Sequence, residues 1–176
     1  MSALQQFQEA IRTIPDFPKP GIQFKDITPI LKDVTLLRSA VDILGDPFDG
    51  KGITKVVGME SRGFIMGAML ASRLGAGFVP VRKKGKLPYK TMAEEYELEY
   101  GTDVLEMHVD AIEPGDKVLI HDDVIATGGT ANATGRLVQR ANGSIVGCCF
   151  LIELSFLNGR DKLSSITDHI HAVLTY

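Results

Sequence analysis

An α/β fold built on an open parallel sheet is the architecture this sequence predicts. Short continuous apolar runs alternate with helical patterns through most of the 176 residues, as expected of parallel strands buried on both faces. One stretch breaks that rhythm with period-two alternation, the pattern of an antiparallel hairpin. With 44% hydrophobic and 7% aromatic residues, the chain reads as a single domain over residues 1–176. The expectation is a Rossmann-like sheet of about five strands with helices on both faces, a hairpin lid and a small N-terminal hood.

Leu4, Phe7, Ile11 and Ile14 recur at helical spacing, so an amphipathic helix is expected until Pro15 stops it. Residues 15–21 hold three prolines and a glycine and read as a turn-rich loop. Asp33 can cap a second helix with Leu36, Leu37, Ala40, Val41 and Leu44 on its inner face. Parallel strands are expected at 55–58, 76–81, 117–123, 144–152 and 170–174. Ser61 is placed as the cap of a helix running to Leu74. A further helix starts near Gly129, with Ala131, Thr134, Gly135 and Val138 inward, and Asn142-Gly143 ends it.

Between the second and third strands lies a long excursion. It begins with the basic run Arg82-Lys83-Lys84-Gly85-Lys86. Then Tyr96, Leu98 and Tyr100 alternate with Glu95, Glu97 and Glu99. Past Gly101, Leu105, Met107 and Val109 alternate with Glu106, His108 and Asp110. That is a hairpin with one solvated face, and so long an insertion in a small domain reads as a working loop or lid.

Bulk properties narrow the function. A formal charge of −3 argues against a generally basic nucleic-acid binder. Cys148 and Cys149 are adjacent on a strand and point to opposite faces, so free thiols in a reducing compartment are expected. No Cys/His spacing suggests zinc. No apolar stretch has secretory form or the length to cross a bilayer, so a cytoplasmic setting is expected.

Three features fall at carboxyl ends of strands, where open parallel sheets bind ligands. Asp122 and Asp123 close the third strand and lead into Ala126-Thr127-Gly128-Gly129-Thr130. Glycines and a helix start offer backbone amides to an anion, while the two acids can accept hydrogen bonds from a sugar diol. An ordinary N-cap after a buried strand is the competing reading, and two acids beside a Thr-Gly-Gly-Thr loop disfavour it. Glu60-Ser61-Arg62-Gly63-Phe64 follows the first strand and suits a second phosphate, although a plain cap reads equally well there. The basic run after the second strand would, alone, be a solvated loop; beside two anion-friendly turns it points to phosphate contact.

This combination resembles the type I phosphoribosyltransferases, whose pattern of apolar strand, two acids and Thr-Gly-Gly-Thr loop residues 118–130 match. Within that family, segments 17–29, 60–64, 82–88, 96–101 and 152–160 resemble the branch that uses adenine. The resemblance implies transfer of a 5-phosphoribosyl group from 5-phosphoribosyl 1-pyrophosphate to adenine. It places Asp122 and Asp123 on the ribose hydroxyls and Ala126, Thr127, Gly128, Gly129 and Thr130 on the 5-phosphate. Glu60, Ser61, Arg62, Arg82, Lys83 and Lys86 fall at the pyrophosphate. Phe24 would stack on adenine, with backbone groups of Gln23 and Lys25 reading its edge.

Glu99 matches a family glutamate that manages a proton on the purine, although periodicity alone leaves the three hairpin glutamates equivalent. With Arg62 and Arg82, it completes the expected catalytic set. Mg²⁺ is implied as the cofactor, held mainly by substrate rather than by a protein cage. A homodimer is implied too, since the Arg82 position often reaches into a neighbouring subunit, while no nucleic acid or membrane partner is expected. Tyr89-Lys90, His121 and Lys25 depart from the usual family residues. Two other readings stay open at this point: a phosphoribosyltransferase for another nucleobase, and a non-catalytic regulator that senses the sugar pyrophosphate.

Overall fold

In the computed structural model, which describes residues 2–97 and 101–176, the N-terminal segment already departs from its helical spacing. The first helix, α1 (Ala3–Ala10), opens with a capping box between Ser2 and Gln5 and ends at Ala10, five residues short of Pro15. Ile14 lies instead in β1 (Arg12–Pro15), which pairs antiparallel with β2 (Gln23–Asp26). A β-branched pair before a proline favours extended backbone. Arg12 then locks the pairing by donating to Asp26 at 2.7 Å. The hood is therefore a helix plus a two-stranded hairpin, joined by the expected turn-rich loop.

A short helix, α2 (Thr28–Leu31), leads to α3 (Val34–Gly45), whose first amides donate to the Asp33 carboxylate at 2.8 and 3.0 Å as its sequence predicts. Thereafter the chain alternates: β3 (Lys55–Met59), α4 (Gly63–Leu74) and β4 (Gly77–Lys83). The hairpin β5 (Thr91–Glu97) and β6 (Thr102–His108) follows, then β7 (Lys117–Ile125), α5 (Gly129–Arg140), β8 (Ser144–Glu153), α6 (Gly159–Leu163) and β9 (Ile170–Thr175). The main sheet has seven strands in the order β5-β6-β4-β3-β7-β8-β9. Its five apolar strands are parallel, as expected. The hairpin extends the same sheet, because β6 pairs antiparallel with β4 at Arg82–Glu106 and Lys83–Leu105.

Each face of the sheet carries its own core. Phe7, Ile30, Leu44, Met66 and Leu70 pack with Leu119, Cys149 and Leu151 on one side. Leu137, Val138 and Leu163 cover Val57, Ile120, Cys148 and Phe150 on the other. Burying each such side chain stabilises the fold by about 1.5–3 kcal/mol. The adjacent cysteines thus belong to different cores, and both are free and buried. Among the described residues, no helix is long and apolar enough to cross a membrane.

Four further local expectations need correction. Ser61 does not cap α4; Arg62 occupies that position and no side chain bonds the first amides. The strand β7 continues through both acids to Ile125, so Asp122 and Asp123 lie inside its last turn of pleat rather than at its end. On the hairpin, Glu106 is only 8% exposed although alternation places it in solvent. Its carboxylate is drawn in by the Gly85 amide, which donates to it at 2.9 Å. Val109, placed inward by the same alternation, falls beyond β6 and is exposed.

Candidate active site

Strand order makes β4, β3 and β7 direct neighbours, so the turns that follow them converge at one edge of the sheet. Asp123, 2% exposed, sits under the Arg62 guanidinium, which donates to it from Nε at 2.5 Å. Asp122 accepts the Asp123 amide at 2.9 Å. Its carboxylate also abuts the start of α4: a Cβ added at Gly63 would stand 2.9 Å from Asp122 Oδ1. Burial, and then the charge of Asp123, push the Asp122 carboxyl well above its ordinary value, and the Asp123 amide and then Arg62 only partly offset them.

Both acids face a cavity of about 300 Å³ shared with Glu60, Ser61, Arg62, Lys83 and Lys86. Three carboxylates and three cations therefore line it, among the described residues. Glu60 is the hub. It accepts from Lys86 Nζ at 2.7 Å, the Lys83 amide at 3.0 Å and Arg82 Nε at 3.3 Å. Burial pushes its carboxyl up, but the Lys86 bond and then the Lys83 and Arg82 bonds outweigh that and hold it at about 2. Arg82 also donates to the Lys86 carbonyl at 3.1 Å, and the Lys83 ammonium pairs with Asp103 on the hairpin at 3.1 Å. Glu60 thus orders the cations instead of presenting a donor to an anion.

A second hollow, about 90 Å³, is formed by residues 124–131 with Asp122 and Phe150. Here Ala126, Thr127, Gly128, Gly129 and Thr130 wrap the start of α5, whose N-cap Gly128 has φ 77° and no side-chain cap bond. Open amides at a helix start attract anions. The glycine does a second job that anion binding does not explain: a Cβ at Gly128 would run into the Gly159 carbonyl. From the hairpin, the Tyr96 ring reaches this loop: a Cβ added at Gly129 would stand 3.4 Å from it.

The third space is an apolar slot of about 740 Å³ between the hood and the turn after β8. Ile22, Gln23 and Lys25 form one wall, Leu154, Phe156 and Leu157 the other, and Ala126 and Thr127 join it to the loop at the start of α5. Phe24 is not among its lining residues. Its ring lies 5.2 Å from that of Phe17 and 5.5 Å from the Arg62 guanidinium carbon, on the side toward the acids. Glu99 lies outside the described residues. Sequence reasoning missed Leu154, Phe156, Leu157 and Tyr176 as slot residues; the one available signal was an aromatic in a turn, and Phe156 is 70% exposed.

His121, beside the acids, is fully buried, with Nδ1 3.1 Å from the Cys149 carbonyl oxygen. Burial pulls its pKa down to about 4, against weaker upward effects from Cys149 and Asp123. It is neutral at pH 7 and packs rather than acting as a base. A depressed folded-state value gives stability that is full above the ordinary 6.5 and lost as pH falls toward 4. Thermal unfolding across that window is expected to show a steeper loss for the native chain than for His121→Gln, by roughly 3 kcal/mol in total. Parallel curves would contradict a buried neutral imidazole.

Comparison with known proteins identifies the family. The phosphoribosyl transferase domain family matches residues 23–173. An adenine phosphoribosyltransferase of Thermobifida fusca (strain YX) is 57% identical over 156 residues, covering 89% of each chain. The crystal structure of adenine phosphoribosyltransferase from Rhodothermus marinus DSM 4252 superposes with a TM-score of 0.93 at 65% identity, over 99% of this chain and 98% of that one. The Saccharomyces cerevisiae enzyme, complexed with an imino-altritol bisphosphate and adenine, gives a TM-score of 0.92 at 41% identity over 98% of both chains. With strand, acids, loop and anion turn arranged as described, this chain belongs to the phosphoribosyltransferase family, in its adenine phosphoribosyltransferase branch.

Proposed function

We propose that the protein transfers the 5-phosphoribosyl group of 5-phosphoribosyl 1-pyrophosphate to adenine, giving AMP and pyrophosphate, a purine-salvage reaction. The observation that carries this reading is that Asp122 lines both anion cavities. A sugar held there has its 5-phosphate on one side and its pyrophosphate on the other. Ala126 to Thr130 bind the 5-phosphate through backbone amides and the Thr127 and Thr130 hydroxyls. Arg62, Lys83 and Lys86 meet the pyrophosphate, while Glu60 and Arg82 keep them aligned. The base enters the apolar slot, where Gln23 and Lys25 backbone groups read its edge, and Phe24 borders it from the side of the acids.

As the bond from the anomeric carbon to pyrophosphate breaks, a purine nitrogen attacks from the opposite face. Positive charge develops on the sugar ring and negative charge on the leaving group, so catalysis is positioning and charge stabilisation. Glu99 is proposed to receive the proton that the purine gives up. Asp122 and Asp123 hold the ribose hydroxyls, and closure of the hairpin excludes water that would otherwise hydrolyse the donor.

Mg²⁺, when bound, supplies charge neutralisation to the pyrophosphate and ribose oxygens. Among the described residues no group of three or more His, Cys, Asp or Glu could cage a metal, and this cation prefers substrate oxygens and water. Asp122, without an ion pair in the described structure, fits a sugar-bound cation by its charge. The proposal includes a homodimer that meets near the Arg82 loop, supported by the exposed Tyr89 that follows it, 56% accessible. A reducing, cytoplasmic setting suits the two unpaired thiols.

AMP formation measured with each nucleobase in turn, with and without Mg²⁺, tests the reading. Adenine alone should serve, and only with the metal; use of hypoxanthine in its place would overturn the substrate. Asp123→Asn is expected to lower kcat/KM for the sugar pyrophosphate about a hundredfold, roughly 3 kcal/mol. The variant removes a ribose acceptor and also loosens Arg62. Native turnover in it would remove Asp123 from the ribose site.

A further inference from the structure

The two walls of the apolar slot come from separate parts of the chain, and Tyr176 touches both. One wall belongs to the hood strand β2, the other to the turn Ser155–Leu157 after β8. Tyr176 follows β9 and lines the slot between them. Its amide donates to the Glu153 carbonyl at 2.9 Å. Its own carbonyl accepts from Ser155 twice, from the amide at 2.9 Å and the hydroxyl at 2.8 Å. The main chain of Tyr176 is thereby fixed to the base of the Phe156–Leu157 wall.

Its side chain serves the other wall. The Lys25 ammonium stands 3.9 Å from the centre of the Tyr176 ring, well within cation–π reach. That same ammonium donates to Thr13 Oγ1 at 3.0 Å, and Thr13 and Lys25 are register partners in the hood hairpin. A continuous chain of contacts therefore runs from Ser155 through Tyr176 and Lys25 into β1 and β2.

We propose that Tyr176 is a positioning residue for the nucleobase: acting through Lys25, it fixes the distance between the hood wall and the Phe156–Leu157 wall of the slot. The inference rests on the reading of that slot as the base site. A planar purine gains from close contact on both faces, and dispersion falls by about a quarter to a half over a gap of 0.5–1 Å. The slot width therefore decides how tightly a base is held. The cavity lined by Glu60, Arg62, Lys83 and Lys86 shares no lining residue with the slot.

Steady-state kinetics of the full chain test the idea. Tyr176→Leu removes the ring but keeps the main-chain bonds. It should raise KM for adenine about five- to tenfold, while kcat and KM for the sugar pyrophosphate stay within about twofold. Tyr176→Phe keeps a cation–π face and should behave as the native chain. Lys25→Met should reproduce Tyr176→Leu, and the double variant should be no worse than either, because the two residues form one contact.

An unchanged KM for adenine in Tyr176→Leu overturns the proposal, as does an equal rise in both KM values or a Tyr176→Phe that fails like the leucine. If Tyr176→Leu does not fold, Lys25→Met carries the same decision. Leu157→Arg, which plugs the slot directly, separates the two levels of inference. If that variant leaves KM for adenine unchanged, the base-site reading falls. If it raises KM while Tyr176→Leu and Lys25→Met do not, only the role of Tyr176 falls.

Discussion

Replacing Asp122 by asparagine is expected to raise the melting temperature of the ligand-free protein while removing most of its activity. The Asp122 carboxyl is buried, lies beside the charge of Asp123 and is pushed well above its ordinary value. A raised folded-state value means stability that is full below the ordinary 3.8 and lost as pH rises through the folded value. At pH 7 the ligand-free protein carries that loss. Asparagine is isosteric, keeps an oxygen for the Asp123 amide that now bonds at 2.9 Å, and never ionises. A gain of about 1–2 kcal/mol, or roughly 2–8 °C at this chain length, is expected at pH 7 and should vanish near pH 3.5. Activity moves the other way, since the proposed ribose acceptor is gone. A melting temperature that falls at pH 7 would show that the carboxylate is well accommodated as it stands.

The second large effect is expected from Gly128→Ala. Two independent strains coincide at this residue: φ is 77°, where side chains other than hydrogen are disfavoured, and the added methyl meets the Gly159 carbonyl. The backbone term is about 1 kcal/mol and overpacking adds about 1–3, so a loss of roughly 2–4 kcal/mol should appear in denaturant unfolding. KM for the sugar pyrophosphate should rise at least about tenfold, because relieving the clash re-aims the amides proposed to hold the 5-phosphate. Gly129→Ala is the control. Its Cβ would make only ordinary contacts, the nearest with the Tyr96 ring at 3.4 Å, so its effect on stability should be much smaller. Equal losses in the two variants would remove the Gly159 argument.

That Gly128–Gly159 contact shows where sequence reading stops. A glycine in an anion loop is legible, because the need for bare backbone near a phosphate is local chemistry. A glycine that makes room for another carbonyl 31 residues later is not, since it depends on how α6 docks. The parallel strands were legible because each is a continuous apolar run, whatever its neighbours. Ile14 was not, because helical spacing and a strand paired to β2 compete over only a few residues. The anion residues were legible through their types, but their partners were not: nothing local predicts that Glu60 gathers Arg82, the Lys83 amide and Lys86 around itself. The slot proposed for the base was the least legible, since Tyr176 and the turn Ser155–Leu157 meet the hood only in three dimensions.

The equal number of carboxylates and cations around the cavity proposed for pyrophosphate has a consequence for competition among anions. A strongly cationic hollow would capture any polyphosphate it met, by long-range attraction alone. Here Glu60 is paired with Lys86 and Arg82, and Asp123 with Arg62, so cations around the cavity proposed for pyrophosphate already have carboxylate partners. On the proposed reading, discrimination among anions then falls to the sugar that spans both hollows, and the released pyrophosphate exchanges against carboxylates that already hold the cations.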